Sequence, residues 1–325
     1  GLRNIYASGS KYYTVNRNVL FDKDMKTLHM ISPGVSLTNY TLPSSVEVIG
    51  EGAFLNSSLI SLICSEDSKL KRISANAFAE CDNLVSVTLP NHEIEIEEFA
   101  FYQCNKLRDI NLEQVISLGQ YALTGTNVNK VTLPKNAILG TGAFYKCLNL
   151  TEVTLGENTR IGKSAFQETP LVIVNMPQKG NVTIEAAAFY RCTSLRSIDL
   201  SKAVGTIGEF AFFYCHSLEE ANLENITVVE QGAFSDCKSL KTVLMPMVIS
   251  LGEGAFAQYS SGGKGGLIES VFFPTTLKEI GIDCFYGNAS LKEVDLSSVE
   301  SIQMQAFAYC TSLEKVVLGE KLKKL

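Results

Sequence analysis

One block of residues recurs along most of the chain at steps of 21 to 24 residues. Each copy contains Ala-Phe, a small residue or Cys three positions after the Phe, and then Leu-x-x-Val/Ile-x-Leu, as in AFYRCTSLRSIDL at residues 188–200. A segment this short cannot bury its own apolar face, so successive copies must stack on one another. The chain is therefore predicted to fold as a solenoid. The Phe of each copy is called the anchor below, and one copy is called a rung.

The anchors occupy these positions, with Leu123 in one of the slots: Phe54, Phe78, Phe101, Leu123, Phe144, Phe166, Phe189, Phe212, Phe234, Phe256, Phe285 and Phe307. One step, from Phe256 to Phe285, is 29 residues long and contains the glycine-rich sequence YSSGGKGG. An insertion of this kind is expected to form a loop outside the stack.

Each rung is predicted to contain one strand. The Leu-x-x-Val/Ile-x-Leu part alternates apolar and polar residues and is rich in β-branched side chains, which is typical of a strand. The Ala-Phe part has apolar residues three and four apart, but it is too short for a stable isolated helix and suggests a single helical turn. Stacking places the strands side by side in a parallel sheet, about 4.8 Å apart.

The rungs resemble leucine-rich repeats of the BspA-like type, also called the Treponema pallidum type, with the consensus I-x-x-x-A-F-x-x-C-x-x-L-x-x-I-x-L-P. Residues 73–90 and 207–223 show the match, which extends over roughly residues 40–318. The departures are single positions: Leu123 replaces Phe, Cys284 replaces Ala, and Thr169 and Tyr259 replace Cys. The resemblance implies an α/β leucine-rich-repeat fold. We expect a right-handed solenoid of about twelve rungs with a parallel concave sheet, and short helical turns or irregular segments on the convex side.

The sequence predicts that the chain has two structural parts, an N-terminal cap and a solenoid. Residues 1–39 fit the repeat poorly and indicate a β-hairpin-like N-terminal cap, with strands at residues 12–21 and 27–31 joined by DKDM. Residues 40–325 form the solenoid, with the glycine-rich insertion at residues 259–266. The last residues, GEKLKKL, come before another anchor is due, so two interpretations stay open: a truncated chain, or a polar C-terminal cap.

The cysteines are predicted to be core residues. Seven of the nine lie three residues after an anchor: Cys81, Cys104, Cys147, Cys192, Cys215, Cys237 and Cys310. A thiol in a repeated slot behaves as a small buried hydrophobe. The chain has no C-x-x-C or H-x-x-x-H spacing, so no metal site is predicted, and an odd number of cysteines cannot pair completely in disulfides.

No catalytic residue and no cofactor are assigned. The three histidines, His29, His92 and His216, lie in different units of the repeat, whereas a Cys/His or Ser/His site needs a histidine held against its nucleophile. His216 occupies a slot that other rungs fill with Asn, Thr or Lys, so it is interpreted as part of a solvated turn.

The outward side of the predicted sheet, called the strand face below, is the candidate ligand-binding surface. Side chains alternate across a strand, so the register identifies which residues face out. The candidate ligand-binding residues on this face are Asp109, Glu152, Ile173, Asp199, Glu220, Leu244, Phe272 and Asp295. Acidic and scattered apolar positions suit a protein or peptide partner that carries basic groups. Phe272 is the first choice, because an exposed aromatic on a strand is more informative than an exposed acid.

Net charge and hydropathy limit the classes of partner that are expected. The formal net charge is −6, so nucleic acid is not an expected partner, and no apolar run is long enough to insert into a membrane. The resemblance implies a cell-surface or secreted, non-enzymatic adhesion or interaction protein of a host-associated bacterium, with a host matrix protein as a possible partner and any signal or anchor removed. The alternatives are a glycan-binding or spacer module, or the repeat region of an enzyme. A glycan binder should expose several aromatics on one face, and the strand face offers Phe272 alone.

Overall fold

The computed structural model describes residues 4–32, 34–35, 37–260 and 265–323. The chain divides into two compact units, residues 1–150 (unit 1) and residues 151–325 (unit 2). Each unit is a β-solenoid in which every rung adds its strands in parallel to the strands of the rung before it. The predicted stacking of repeats is therefore confirmed within each unit.

The strands of unit 1 are β1 (Tyr13–Asn16), β2 (Val19–Asp22), β3 (Thr27–Ile31), β4 (Asn39–Leu42), β5 (Val48–Ile49), β6 (Ser61–Cys64), β7 (Arg72–Ile73), β8 (Ser86–Thr88), β9 (Ile94–Ile96), β10 (Asp109–Ile110), β11 (Val115–Leu118), β12 (Lys130–Thr132) and β13 (Ile138–Leu139). The predicted repeat strands form sheet I, with the order β4-β6-β8-β10. A second set forms sheet II, with the order β1-β2-β3-β5-β7-β9-β11-β13.

Unit 2 repeats this arrangement with β14 (Glu152–Thr154), β15 (Arg160–Ile161), β16 (Ile173–Asn175), β17 (Val182–Ile184), β18 (Ala203–Ile207), β19 (Glu220–Asn222), β20 (Ile226–Val229), β21 (Thr242–Leu244), β22 (Ser250–Leu251), β23 (Ser270–Val271), β24 (Glu279–Ile280), β25 (Glu293–Leu296), β26 (Ser301–Ile302) and β27 (Lys315–Leu318). Sheet II of unit 2 has the order β15-β17-β18-β20-β22-β24-β26. Its sheet I consists of the pairs β14-β16 and β19-β21 and the three strands β23-β25-β27.

Most rungs contain two strands rather than the one that was predicted. The apolar residue five positions before each anchor, such as Ile73 or Ile184, lies in a sheet II strand with its side chain buried. These strands are only two to five residues long, which is too short for alternation to distinguish a strand from a turn. Pairing with the rungs on either side is what makes them strands.

The N-terminal segment also differs from the prediction. The predicted strand at residues 12–21 is two strands, β1 and β2, which pair antiparallel around Arg17 and Asn18. Both residues have positive φ, at 48° and 63°, which is the backbone that a two-residue hairpin turn requires. The segment β3 then pairs antiparallel with β2 on one side and parallel with β5 on the other. The predicted boundary of a cap at residue 39 stays a prediction.

The Ala-Phe segments form irregular turns, the second of the two forms that were expected for them. Around Phe189, the residues two before and two after the anchor, Ala187 and Arg191, have φ values of 55° and 58°. The N–H groups of Ala187, Phe189 and Arg191 each donate to a carbonyl of the following rung, at 2.7, 2.8 and 2.8 Å. These hydrogen bonds to the neighbouring rung stabilise the left-handed backbone conformation of Ala187 and Arg191, which an isolated turn would disfavour.

The anchor side chains form the centre of each unit. In unit 1 the Phe54 and Phe78 rings are stacked with centroids 4.8 Å apart, and Phe78 and Phe101 are stacked at 5.0 Å. In unit 2 Phe189 stacks on Phe166 at 5.3 Å and on Phe212 at 5.1 Å. The anchors from Phe54 to Phe285 are fully buried, so every rung covers the apolar face of its neighbour.

Some rungs have a glycine four residues before the anchor, because successive rungs approach each other closely at that position. A Cβ at Gly119 would lie 2.9 Å from the carbonyl oxygen of Glu97 in the preceding rung. It would lie even closer to the Glu97 carbonyl carbon and the Glu98 backbone nitrogen. A Cβ at Gly208 would meet the Glu185–Ala186 backbone in the same way. Backbone cannot move aside as a flexible side chain does, so glycine is needed at these two positions.

Replacing Phe189 by Ala is expected to destabilise the protein by about 3–5 kcal/mol, because it removes a fully buried ring and leaves a cavity between two stacked neighbours. Denaturant titration measures this change. The matched control is Phe272→Ala, whose ring is 80% exposed and whose loss should shift stability by less than about 0.5 kcal/mol. Equal effects of the two substitutions would contradict the stacked core.

Candidate functional site

The strand face has the predicted alternation of buried and exposed residues. In β16 the central residue Val174 is buried between the exposed Ile173 and Asn175, and β21 shows the same pattern around Val243. In β25 the exposed Glu293 and Asp295 alternate with buried residues. Because the inward positions of each strand face the core, the outward side chains project to solvent from a parallel, hydrogen-bonded backbone.

One candidate lies in unit 1. Asp109 is exposed on β10 and pairs with Ser86 of β8 in register. Its carboxylate forms an ion pair with the neighbouring Arg108, with 3.2 Å between Nε and Oδ2. This pairing reduces the net charge that Asp109 offers to a partner.

The remaining candidates lie in unit 2, mostly on sheet I strands. Glu152 of β14 is directly opposite Ile173 of β16, and Glu220 of β19 is opposite Thr242 of β21. Leu244, at the end of β21, is opposite Asn222 and is 53% exposed. The structure therefore presents an apolar side chain next to a polar one on both pairs of strands.

Asp199 is exposed, but it does not lie on a strand. The predicted strand at residues 195–200 is missing, and a 3-10 turn at Leu200–Lys202 takes its place. The Asp199 carboxylate accepts a hydrogen bond from the Ser201 N–H at 3.0 Å and so caps this turn. The inward register still holds, because Leu195, Ile198 and Leu200 are all buried.

Phe272 and Asp295 are the two candidates that the structure brings into one groove. Phe272 follows β23 directly and is 80% exposed, and Asp295 lies on the adjacent strand β25. The groove has a volume of about 350 Å³ and is also lined by Val317 and Lys315 of β27. Val317 completes the apolar side of this groove with Phe272, which only the fold shows.

The charges around this groove are arranged in cross-strand pairs. Lys315 pairs with Glu293 at 3.3 Å, and Lys292 pairs with Glu269 at 2.8 Å. The Ser297 hydroxyl and N–H donate to Asp295, and these hydrogen bonds lower the pKa of its carboxyl group. Asp295 is therefore anionic at neutral pH, and the charge of the nearby Lys315 also lowers the pKa of its carboxyl group.

The repeated cysteines lie inside the stack, as predicted, but they are more than apolar filler. All nine are buried. The Cys215 thiol donates to the carbonyl oxygen of Phe189, the anchor of the preceding rung, at 3.2 Å. The same bond recurs from these thiols to the preceding anchor: Cys81, Cys104, Cys147, Cys192, Cys237 and Cys310.

Residues that replace cysteine in this slot keep a hydrogen-bonding group. The Asn288 side-chain amide donates to the carbonyl oxygen of Phe256 at 2.8 Å, in the place of a thiol. The Thr126 and Thr169 hydroxyls donate to the anchor carbonyl of their own rung, at 2.8 and 2.7 Å. Apart from Tyr259, the slot therefore holds small side chains with a donor group, which sequence reasoning missed even though Thr169 was a signal for it.

The histidine predicted to be in a solvated turn is half-buried. The His216 Nε2 atom is buried and has no hydrogen-bond partner among the described residues. Burial, followed by the charge of Lys238, lowers the pKa of its imidazole. The ring packs against Tyr214 with centroids 5.1 Å apart, so His216 contributes to the surface packing of its rung.

Within residues 4–260 and 265–323, apart from residues 33 and 36, no three His, Cys, Asp or Glu side chains are grouped as metal ligands would be. The same part of the chain contains no helix with the length and apolarity needed to cross a bilayer. The predicted insertion at residues 259–266 falls partly on residues 261–264, which lie outside the described residues.

The family model for the BspA-type leucine-rich repeat region, which describes six copies of the repeat, matches residues 33–151, 137–262 and 264–325. The chain therefore belongs to the BspA-type leucine-rich repeat family, and the predicted resemblance is confirmed. None of the curated proteins matches the chain.

Solved structures support the same fold. A leucine-rich repeat protein from Bacteroides ovatus is 22% identical, with a TM-score of 0.65 over 98% of this chain and 90% of that one. A leucine-rich cell surface protein from Faecalibacterium prausnitzii is 20% identical, with a TM-score of 0.47 over 96% of each chain. The T. pallidum leucine-rich repeat protein is 19% identical, with a TM-score of 0.46 over 66% of this chain and 91% of that one. At these identities the Bacteroides likeness shows the leucine-rich-repeat fold alone.

Replacing Cys215 by Thr is expected to be less destabilising than replacing it by Val, although the two side chains have nearly the same shape. Thr is found at this slot in two rungs, where its hydroxyl donates to the anchor carbonyl of its own rung, whereas Val has no donor. The difference in unfolding free energy should be about 1 kcal/mol. A Val variant as stable as the Thr variant would show that the slot selects only for size.

Stability is expected to fall as the pH rises above about 8.5, the ordinary thiol value. Burial raises the pKa of the Cys147 and Cys192 thiols to about 12, so these thiols stay neutral in the folded chain while those of the unfolded chain ionise. The unfolded state then binds fewer protons, and each such thiol lowers stability by up to about 1.4 kcal/mol per pH unit.

Denaturant titrations between pH 7 and 10 test this slope. The Cys192→Thr variant is the matched control and should lose less stability over the same interval than the unsubstituted chain. Identical slopes for the two proteins would contradict the assignment to the buried thiols.

Proposed function

We propose that this chain is a non-enzymatic binding protein that holds a protein or peptide partner against the strand face of unit 2. Phe272 supports this proposal most directly. Its ring is 80% exposed on a folded strand face, whereas every anchor Phe from Phe54 to Phe285 is fully buried. Aromatic side chains exposed in this way are typical anchors of protein interfaces, where a partner removes them from water.

Apolar neighbours extend the surface around Phe272. Leu244 occupies the equivalent position at the end of β21, and β21 and β23 are adjacent. Val317 lines the groove on the other side of Phe272 and is 38% exposed. A row of apolar side chains across several rungs suits an extended segment of a partner better than a small molecule.

Acidic groups give this surface its charge preference. Asp295 lines the same groove, and Glu220 is exposed on β19 of the same unit. Carboxylates at the rim of an apolar patch favour a partner with Lys or Arg next to its apolar residues, and they raise its association rate at low salt. We therefore propose a basic, partly apolar protein segment as the ligand class.

A cell-surface or secreted location and adhesion to a host matrix protein belong to the same proposal. Membership of the BspA-type family supports them, since the resemblance to this family implies a surface or secreted protein of a host-associated bacterium. The repeat scaffold of the family also supports the non-enzymatic reading. The proposed location rests on the family alone and is separate from the residues of the groove.

Surface plasmon resonance against a panel of immobilised, purified extracellular-matrix proteins tests the proposal. Phe272→Ala should weaken binding by about 2 kcal/mol, which is roughly thirtyfold in Kd, while the unfolding midpoint is unchanged. Glu220→Lys should slow association and reduce the dependence of binding on salt.

The matched control is Tyr12→Ala, which removes an aromatic side chain that is 75% exposed in unit 1. This variant should bind like the unsubstituted chain. The proposal fails if no protein of the panel binds, or if Tyr12→Ala weakens binding as much as Phe272→Ala does.

A further inference from the structure

The groove on the strand face of unit 2 has a carboxylate between two apolar side chains. Val271 of β23 pairs with Val294 of β25. Phe272 and Asp295, the residues that follow these two, therefore lie side by side. On its other side, Asp295 pairs in register with Val317 of β27. The row across the three strands is therefore an aromatic ring, a carboxylate and an aliphatic side chain.

The lengths of these side chains give the groove its shape. The Phe272 ring is 80% exposed, and within the described residues it contacts no other ring and no cation. Asp and Val side chains are shorter than Phe, so the Phe272 ring forms the taller wall and Asp295 lies at the floor. The groove has a volume of about 350 Å³, which suits one long side chain of a partner rather than a whole helix.

The net charge of the groove comes from Asp295. Glu293 and Lys315 also line it, but the Lys315 Nζ atom is 3.3 Å from Glu293 Oε2, so these two charges offset each other. The Ser297 hydroxyl and N–H both donate to Asp295 Oδ1. No described residue donates to Asp295 Oδ2. One oxygen therefore holds the carboxylate in place, and the other is available to a partner.

An aromatic wall above a carboxylate suits a guanidinium group better than an ammonium group. A guanidinium is planar and weakly hydrated, so it can stack on an aromatic face while its N–H groups donate in its own plane. An ammonium is compact and strongly hydrated, so it keeps more of its water in an open groove. We infer that the groove holds an arginine side chain of the partner, with the guanidinium against the Phe272 ring and hydrogen-bonded to Asp295 Oδ2.

This inference rests on the proposed function and makes it more specific, because it names the residue that the partner places beside Phe272. The acid Glu314 offers a comparison on the same surface. It is exposed and lines an adjoining groove of about 380 Å³ that contains no aromatic residue. The register of β25 and β27 places Glu314 three residues from Asp295 along the strand direction, which is about 10 Å. Charges this far apart in solvent are largely screened at physiological ionic strength.

Calorimetric and NMR titration of the full chain with three dipeptide amides tests the inference. The probes are N-acetyl-leucyl-arginine amide and the same compound with lysine or citrulline in place of arginine. Citrulline has nearly the shape of arginine but no charge. We expect saturable binding of the arginine probe with a Kd on the order of 1 mM. The lysine probe should bind roughly threefold more weakly, and the citrulline probe about tenfold more weakly.

Two variants assign these preferences to their side chains. Asp295→Asn should weaken binding of the arginine probe by about five- to tenfold and change binding of the citrulline probe by less than about twofold. Phe272→Leu keeps an apolar wall but removes the aromatic face, so it should abolish the preference for arginine over lysine. The matched control is Glu314→Gln, which removes the same charge outside the groove and should leave the order of the three probes unchanged.

The inference is overturned if the arginine probe does not bind saturably, or if the lysine or citrulline probe binds as tightly. It is also overturned if Glu314→Gln weakens arginine binding as much as Asp295→Asn does, since binding would then depend on overall charge. A matrix protein that loses affinity with Phe272→Ala but not with Asp295→Asn would overturn the arginine assignment and leave the proposed function standing.

Discussion

Contact between successive rungs is the interaction on which the structure of each unit depends. A rung of about 23 residues has strands of only two to five residues and an anchor ring that it cannot cover by itself. Its neighbours supply what is missing: a ring stacked at about 5 Å, strand pairing on two sheets, and carbonyl groups that accept its turn N–H groups. Stability of this kind is a sum over neighbouring rungs rather than a property of one central core.

The cysteine slot shows how this stacking treats polar backbone groups. Seven anchor carbonyls accept a hydrogen bond from a buried thiol of the following rung, and that of Phe256 accepts one from the amide of Asn288. A small side chain with a weak donor fits this narrow space, whereas a large polar one would separate the rungs. Burial also raises the pKa of the Cys192 thiol to about 12, so this thiol stays neutral and is a poor nucleophile.

Because the inward positions maintain the fold, the outward positions are free to differ from rung to rung. The strand face uses this freedom for Phe272, Leu244 and the acidic residues, and the turns use it for the aromatic groove around Tyr121. The two surfaces lie on different segments of the repeat, so a substitution on one need not disturb the other. A solenoid of this type therefore has two outward surfaces, the strand face and the turns, whose residues can vary independently.

The repeat spacing determined the stacked solenoid, the anchor positions, the burial of the cysteines and the outward register of residues such as Ile173 and Asp295. These features follow from local periodicity, which every rung displays. The second strand of each rung could not be predicted in this way, because strands such as β7 and β15 have two residues and exist only through pairing with other rungs. The turn that replaces a strand after Asp199 depends on a single side-chain cap.

The candidate binding residues also divide into features that the sequence determined and features that only the tertiary structure decided. The sequence by itself determined that Phe272 faces outward, since alternation along a strand settles that question. Only the tertiary structure decided that Phe272, Asp295 and Val317 share a groove, and that Phe99, Tyr121 and Tyr145 line another. Those residues are about 20 or more positions apart in the chain. They meet because each rung places equivalent residues beside one another, and the sizes of side chains on three successive rungs then decide whether a groove forms.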